Sequence, residues 1–386
     1  MKFPSAKTII FWSAILLPSF ALCQTTANTT VIQNTEVPFL NFTPDSRSGA
    51  MGEAGVAISA DANANYWNPS KLAFLENDDD ISLSYSPWLR QLIPDISMSY
   101  LSYAHKIDDR NSIGASVRYF NYGTVQLTDG SANNEGTYTP NEFSISGAFA
   151  RKFGDAFSLG LTAEFIHSSF SAATAGQQAT AGNAGAAGVS LFYTNKMQEF
   201  GKDAVFSFGA NVSNIGTKIS YSSDGPKYFL PMNLKIGVAN TINIDDYNLV
   251  TFTLDLNKLL TPTPPIRDGD GNIVKGKDDN ISVPEAIFNS FNDAPGGATQ
   301  EFQEISFSPG VEYWYNQLFA LRAGYFYQNA NVGGRQYATL GVGFKYQAYN
   351  FDFSYVAASQ QQSGYSNTLR FTLTANLGGD KNSHKK

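Results

Sequence analysis

Apolar and polar residues alternate with a period of two along most of this chain. That spacing puts every second side chain on one face of a β-strand. The C-terminal end shows it most clearly. From Thr368 to Leu377 one face reads Leu369, Phe371, Leu373, Ala375 and Leu377, and the other Thr368, Arg370, Thr372, Thr374 and Asn376. The stretches Tyr337 to Ala348 and Leu249 to Asn257 repeat the pattern. Fourteen such segments are legible: 81–86, 96–105, 112–121, 142–152, 156–168, 186–195, 204–214, 231–241, 248–257, 302–315, 318–329, 337–348, 350–357 and 366–377. Most approach the ~9–11 residues with which a tilted strand crosses a bilayer. After residue 23 no run of ~20 apolar residues would make a membrane helix. If the chain spans a membrane it does so as a closed barrel, because an open sheet edge leaves backbone groups unsatisfied in hydrocarbon.

The connections sort by parity. If the first strand runs outward, the outer gaps are 87–95, 122–141, 169–185, 215–230, 258–301, 330–336 and 358–365. The opposite gaps, from 106–111 to 349–350, are short. Short periplasmic turns and long outside loops characterise outer-membrane barrels, whereas a soluble sandwich has no reason to sort its loops this way. The expected fold is therefore all-β: a 14-stranded antiparallel transmembrane β-barrel over 81–377.

Composition narrows the chemistry. Charged residues are only 15% of the 386, the formal charge is −7, and there are one Cys and three His. A disulfide scaffold and a cysteine-rich zinc site are excluded. A charge-poor acidic chain also lacks the clustered Lys and Arg that nucleic acid requires. Lys2 and Lys7 precede an apolar stretch from Thr8 to Ala21, and Ala21 and Cys23 are small residues flanking Leu22. This predicts a secretory signal peptide over 1–23, with lipidation at Cys23 as the rival reading of that residue. Residues 24–34 read as a polar, Thr-rich tail and 378–386 as a polar C-terminal tail.

Residues 35–80 do not alternate and are expected to form a hatch or plug inside the barrel. Gly49, Gly52 and Gly55 lack the preceding strand and following Lys of a phosphate loop, which leaves close packing as their purpose. Trp67-Asn68-Pro69 marks a turn before a short helical stretch. Alternation turns Arg118, Lys152, Lys235, Arg322, Lys345 and Arg370 inward, with Glu164, Asp255, Glu312 and Asp352. Such charges suit salt bridges across the lumen and to a plug, because each is costly on the lipid side. The remaining inward positions read as Thr, Ser, Asn and Gly, which disfavours a greasy conduit.

The segments PDSRSGAMGEAGVAISADANANYWNPSKLAF (44–74), SPWLRQLIPDISMSYLSYAHKIDDRNSIGASVRYF (86–120) and SNTLRFTL (366–373) resemble the PorV family, the outer-membrane barrel of the type IX secretion system. YWNPS is also similar to the Asn-Pro hatch motif of the wider long-chain fatty-acid transporter fold. The resemblance implies an outer-membrane protein that is not an enzyme and needs no cofactor. It implies binding to the C-terminal domains of secreted cargo proteins. It also implies their transfer from the translocon barrel to a sortase-like attachment complex at the cell surface. The competing reading from the wider fold is a hatch-gated transporter of hydrophobic small molecules, and a plain porin is a third.

Other constellations are weaker. Asp268-Gly269-Asp270-Gly271-Asn272 begins like a calcium loop, but Ile273 stands at the sixth position and Asp279 at the twelfth; a hairpin tip is the alternative. His105 and His167 lie on different strands with no third partner. No metal or catalytic set is expected. For partner binding, the outside loop 87–95 carries Trp88, Leu89, Leu92 and Ile93. In the long 258–301 loop, a helical segment from Val283 to Phe291 is expected to place Ile287, Phe288 and Phe291 on one side. Exposed apolar patches of this kind mark contact sites.

Overall fold

The structure, a computed structural model, describes residues 33–88, 95–128, 131, 133–169, 180–222, 224–358 and 368–378. The expected signal peptide, most of the N-terminal tail and nearly all of the C-terminal tail lie outside these residues.

In chain order the strands are β1 (Asp79–Pro87), β2 (Ser97–Lys106), β3 (Asn111–Asn121), β4 (Val125–Thr128), β5 (Asn134–Tyr138), β6 (Asn141–Lys152), β7 (Phe157–Ser168), β8 (Gly182–Glu199) and β9 (Lys202–Gly216). They continue with β10 (Asn233–Asn243), β11 (Asn248–Leu259), β12 (Ile266–Arg267), β13 (Ile273–Lys275), β14 (Ser306–Tyr315), β15 (Phe319–Tyr327), β16 (Gln336–Tyr346), β17 (Tyr349–Ala358) and β18 (Leu369–Leu377). Two short hairpins, β4–β5 and β12–β13, stand apart in outer loops. The other fourteen strands form one closed antiparallel barrel, sealed where β1 pairs with β18 from Asp79↔Leu377 to Tyr85↔Phe371. All fourteen expected strands are present.

Their inner and outer faces follow the alternation. On β18, Phe371, Leu373 and Leu377 are exposed on the outer wall, while Arg370, Thr372 and Thr374 are buried. Leu83, Tyr85, Leu161, Leu321 and Phe351 extend the same outer apolar band. The described residues contain no helix long and apolar enough to cross a membrane.

Two expectations need correction. Residues 302–303 are not strand but the end of a helix, α4 (Ala298–Gln303), and β14 begins at Ser306. Its acids explain this: Glu301 and Glu304 both bind Lys258 Nζ, at 3.0 and 2.7 Å, an arrangement in which residues three apart share a helical face. The lumen is also not polar throughout. Inward-facing Met98, Phe120 and Ile166 form an apolar cluster with Val37, Phe39 and Leu40 of the N-terminal segment. An apolar segment inside the ring needs apolar partners on the wall, so polarity varies with what each inward position faces.

The segment from Gln33 to Asp78 is built from short pieces. They are a 3-10 turn (Pro38–Asn41), α1 (Ser46–Gly49), α2 (Ala64–Trp67) and a second 3-10 turn (Pro69–Phe74). Its hydrogen bonds reach inward residues on β2, β7, β11, β16 and β18. Strands from all sides of the ring therefore hold it inside the barrel.

Candidate functional site: the filled lumen and the outer mouth

Asp45 caps α1 by accepting from Ser48 N (2.9 Å), and its other oxygen accepts from Trp67 Nε1 (2.6 Å). One buried carboxylate thus joins two pieces of irregular chain, which need such partners because a segment without helix or sheet has few of its own. Asn68 ties this core to the wall. Its Nδ2 donates to Val56 O and Leu191 O, each at 3.0 Å, and its Oδ1 receives Ser70 N (3.2 Å), capping the 3-10 turn that Pro69 starts.

The three glycines permit close approaches. A Cβ on Gly49 would meet Arg370 Nη1 at 3.0 Å, and one on Gly55 would overlap the Trp67 ring. Gly52 has φ +70 and its Cβ would lie 2.5 Å from Tyr325 O, so both its backbone angle and its surroundings require glycine.

The inward charges converge on this segment. Arg47 makes two bonds to Glu312, at 2.9 and 3.0 Å, and a third to Asp61 at 3.0 Å. Arg322 joins Glu312 (2.7 Å) to Asp352 (2.6 Å), so two arginines and three acids form one chain of ion pairs. Asp255 accepts from the backbone N–H of Gly55 (2.7 Å) and Val56 (2.9 Å). Arg118 donates to Leu40 O (2.9 Å) and pairs with Glu164 (3.4 Å). Lys235 sits over the rings of Tyr66 (4.6 Å) and Trp67 (4.4 Å), and Lys152 over Phe74 (4.5 Å). Arg370 is fully buried, with Glu53 3.7 Å away. Buried charges persist only when paired or hydrogen-bonded, and here both signs are used to hold the chain's own segment. Beside it, a polar cavity of about 230 Å³ is lined by residues including Glu53, Asn233, Lys235, Asp255, Gln328 and Arg335.

At the outer mouth the expected contact residues separate. Trp88 is only 4% exposed and stacks on Phe42 with ring centroids 4.6 Å apart, so it faces the lumen and not the outside. The aromatic ring of the N-terminal segment draws it in. Leu89, Leu92 and Ile93 lie outside the described residues. In the long loop, α3 (Val283–Asn289) turns Ala286 and the half-buried Ile287 onto a cluster with Phe229, Met232 and Leu260. Ile287 therefore does not share the open side with Phe288, 78% exposed, and Phe291, 52% exposed.

Sequence reading missed Phe302, 73% exposed on α4, and the buried set that fastens this loop. In that set Lys258 binds Glu301 and Glu304, Thr263 Oγ1 donates to Glu304 (2.8 Å), and Thr263 N donates to Asp293 (3.2 Å). The i, i+3 spacing of the two glutamates was the available signal. Asp268 closes the β12–β13 tip by accepting from Asp270 N (3.0 Å) and Asn272 N (2.8 Å), which favours the hairpin-tip reading of that motif. His105 pairs with Asp79 and His167 with Asn183, so the histidines are not brought together. Among the described residues no group of three or more His, Cys, Asp or Glu could hold a metal ion.

A family model described as type IX secretion system protein PorV matches residues 24–266. The chain belongs to the PorV family. The match covers the N-terminal segment and the barrel through the start of β12, and stops before α3, α4 and the last five barrel strands. PorV membership together with the closed barrel makes this an outer-membrane protein of a secretion-system family. No curated protein matches the chain significantly.

Among solved structures, the toluene transporter TodX of P. putida aligns with 10% identity over 87% of this chain and 99% of its own, with a TM-score of 0.51. The CymD monoaromatic hydrocarbon channel aligns with 12% identity over 87% and 98%, TM-score 0.48. A Pseudomonas aeruginosa FadL homologue aligns with 11% identity over 89% and 99%, TM-score 0.41. At this identity the TodX likeness is one of fold.

Proposed function

We propose that this PorV-family barrel binds the C-terminal signal domains of secreted cargo proteins and carries them from the translocon barrel to the surface attachment complex. We further propose that the segment ahead of β1, the part of the expected 35–80 block that ends at Asp78, acts as a permanent plug. The observation that carries the reading is the PorV match over 24–266. It is supported by a lumen occupied by the chain's own residues, whose inward charges are spent on that segment rather than lining a passage. With the lumen occupied in this way, the reading places the protein's work at its outer surface. Its outer surface carries Phe288 on the exposed side of α3 and Phe291 just past the end of that helix, and aromatic residues are favoured anchors at contacts. Leu89, Leu92 and Ile93 remain part of the proposed contact region. The signal peptide over 1–23 supplies export in this reading.

The test is cargo capture. Phe288→Ser with Phe291→Ser, and separately Leu89→Ser with Leu92→Ser, are compared with the parent at matched outer-membrane levels. The expected result is reduced co-purification of cargo and reduced surface attachment in at least one pair. Full retention of both activities in both double variants places the contact elsewhere.

A further inference from the structure

The N-terminal segment begins at the outer mouth and ends at the short-turn rim, folding back once at Trp67 onto Asp45. Gln33 Nε2 donates to Thr261 O (2.9 Å) and Thr263 Oγ1 (3.4 Å), both in the long outer loop. Thr35 forms a parallel bridge with Phe229, and Glu36 N donates to Phe229 O (3.1 Å), in the outer loop between β9 and β10. Phe42 then meets Trp88 at the outer end of β1. At mid-height Ser46 N donates to Thr372 (2.9 Å) and Gly55 N to Asp255 (2.7 Å). Lower still, Asn65 Nδ2 donates to Ser102 (2.8 Å), and Ser158 Oγ at the periplasmic end of β7 donates to Ser70 O (2.7 Å). Finally Lys106 N, at the short-turn rim, donates to Asp78 O (2.8 Å).

An even number of strands returns both ends of the barrel to the short-turn side. The chain ahead of the barrel nevertheless crosses the lumen once more. We infer that the chain upstream of Gln33 emerges at the cell surface, so that the exported N-terminus is an extracellular element beside the two loops that Gln33, Thr35 and Glu36 hold. The inference rests on the outer-membrane orientation, with long loops outside, used for the proposed function.

Single cysteines test it in the full chain. Asn34→Cys is an exposed position at the point of emergence. Asp270→Cys, at the exposed β12–β13 tip, reports the outer side, and Asp109→Cys, fully exposed in the turn after β2, reports the periplasm. Intact cells are treated with a membrane-impermeant maleimide, before and after the outer membrane is permeabilised, and the unsubstituted chain gives the background. A second version carries an epitope inserted after Asn28, read by antibody on intact cells. The expected result is that Asn34→Cys labels on intact cells as fully as Asp270→Cys, and at least tenfold more than Asp109→Cys. The epitope is expected to be detected as well. If Asp270→Cys labels on intact cells while neither Asn34→Cys nor the epitope is reached, the inference is overturned. If Asp109→Cys labels on intact cells and Asp270→Cys does not, the assumed orientation itself is wrong, and the inference goes with it.

Discussion

Arg47 and Glu312 meet fork to fork, Nε to Oε2 at 3.0 Å and Nη2 to Oε1 at 2.9 Å, and they join the N-terminal segment to β14. Planar guanidinium and carboxylate groups match in this geometry, which gives the contact direction as well as strength. Arg322 shares the same carboxylate, so Glu312 bridges both arginines, with Asp61 on Arg47 and Asp352 on Arg322 at the two ends of the chain of pairs.

Glu312→Ala is expected to destabilise the barrel strongly. It removes the carboxylate that two buried guanidinium groups share, leaving Arg47 with Asp61 and Arg322 with Asp352, and breaking a buried pair from one side costs roughly 3–5 kcal/mol. Heat-modifiability on gels, with and without urea, should show the folded band lost at lower temperature. An unchanged transition would mean that the wall holds without this link.

Removing residues 35–75 is expected to convert a silent barrel into a leaky one. In planar bilayers the intact protein should show no large stable conductance, and the deletion should show frequent openings together with lower heat resistance. Large steady channels from the intact protein would favour a porin.

Gly52→Ala is expected to cost roughly 1–3 kcal/mol through overpacking, with further strain from its positive φ. The added methyl would press on the Tyr325 backbone, which belongs to β15 and cannot swing aside as a side chain can. Urea midpoints of refolded protein in detergent measure this. Gly147→Ala, where nothing lies within 4 Å, provides the matched control.

The outer loop is expected to loosen as pH rises. Burial pushes the Asp293 carboxyl up to about 6, an effect that the hydrogen bond from Thr263 N opposes and nearby Glu301 and Glu304 reinforce; burial raises Glu304 as well. A carboxyl whose folded value is raised binds more protons folded than unfolded. Its contribution is complete below the ordinary value near 3.8 and is lost as pH climbs through about 6. Limited proteolysis of the 260–305 region between pH 4 and 8 should show faster cutting at the upper end. Asp293→Asn should flatten that dependence, while a dependence that survives the substitution would assign it to other groups.

The barrel was legible because alternation and loop parity report a two-sided wall directly, as β16 and β18 show. β8 runs to Gly182 and Glu199, beyond its expected 186–195. Its Gly182-to-Gly188 stretch consists of glycine, alanine and Asn183, so hydropathy there has no contrast to read. The segment's path was not legible, since irregular chain has no period and its partners lie far away in sequence, as with Ser46 and Thr372. Trp88 shows the same limit: an apolar residue just past a strand end suits an outside patch or an inside stack, and only Phe42 decides which.

The crossing of the lumen also dictates an order of assembly. A chain held at the outer mouth by Gln33 and continuous with β1 at the opposite rim cannot be drawn through a ring that has already closed around other contents. β18 is the last barrel strand in the chain, and it seals the ring against β1 while pressing Arg370 over Gly49 and beside Glu53. Closure before the segment is seated would leave that arginine facing an open bore, without Gly49 packed against it or Glu53 beside it. The strand that closes the wall is thus also one that packs its filling, so wall and filling are completed at the same seam.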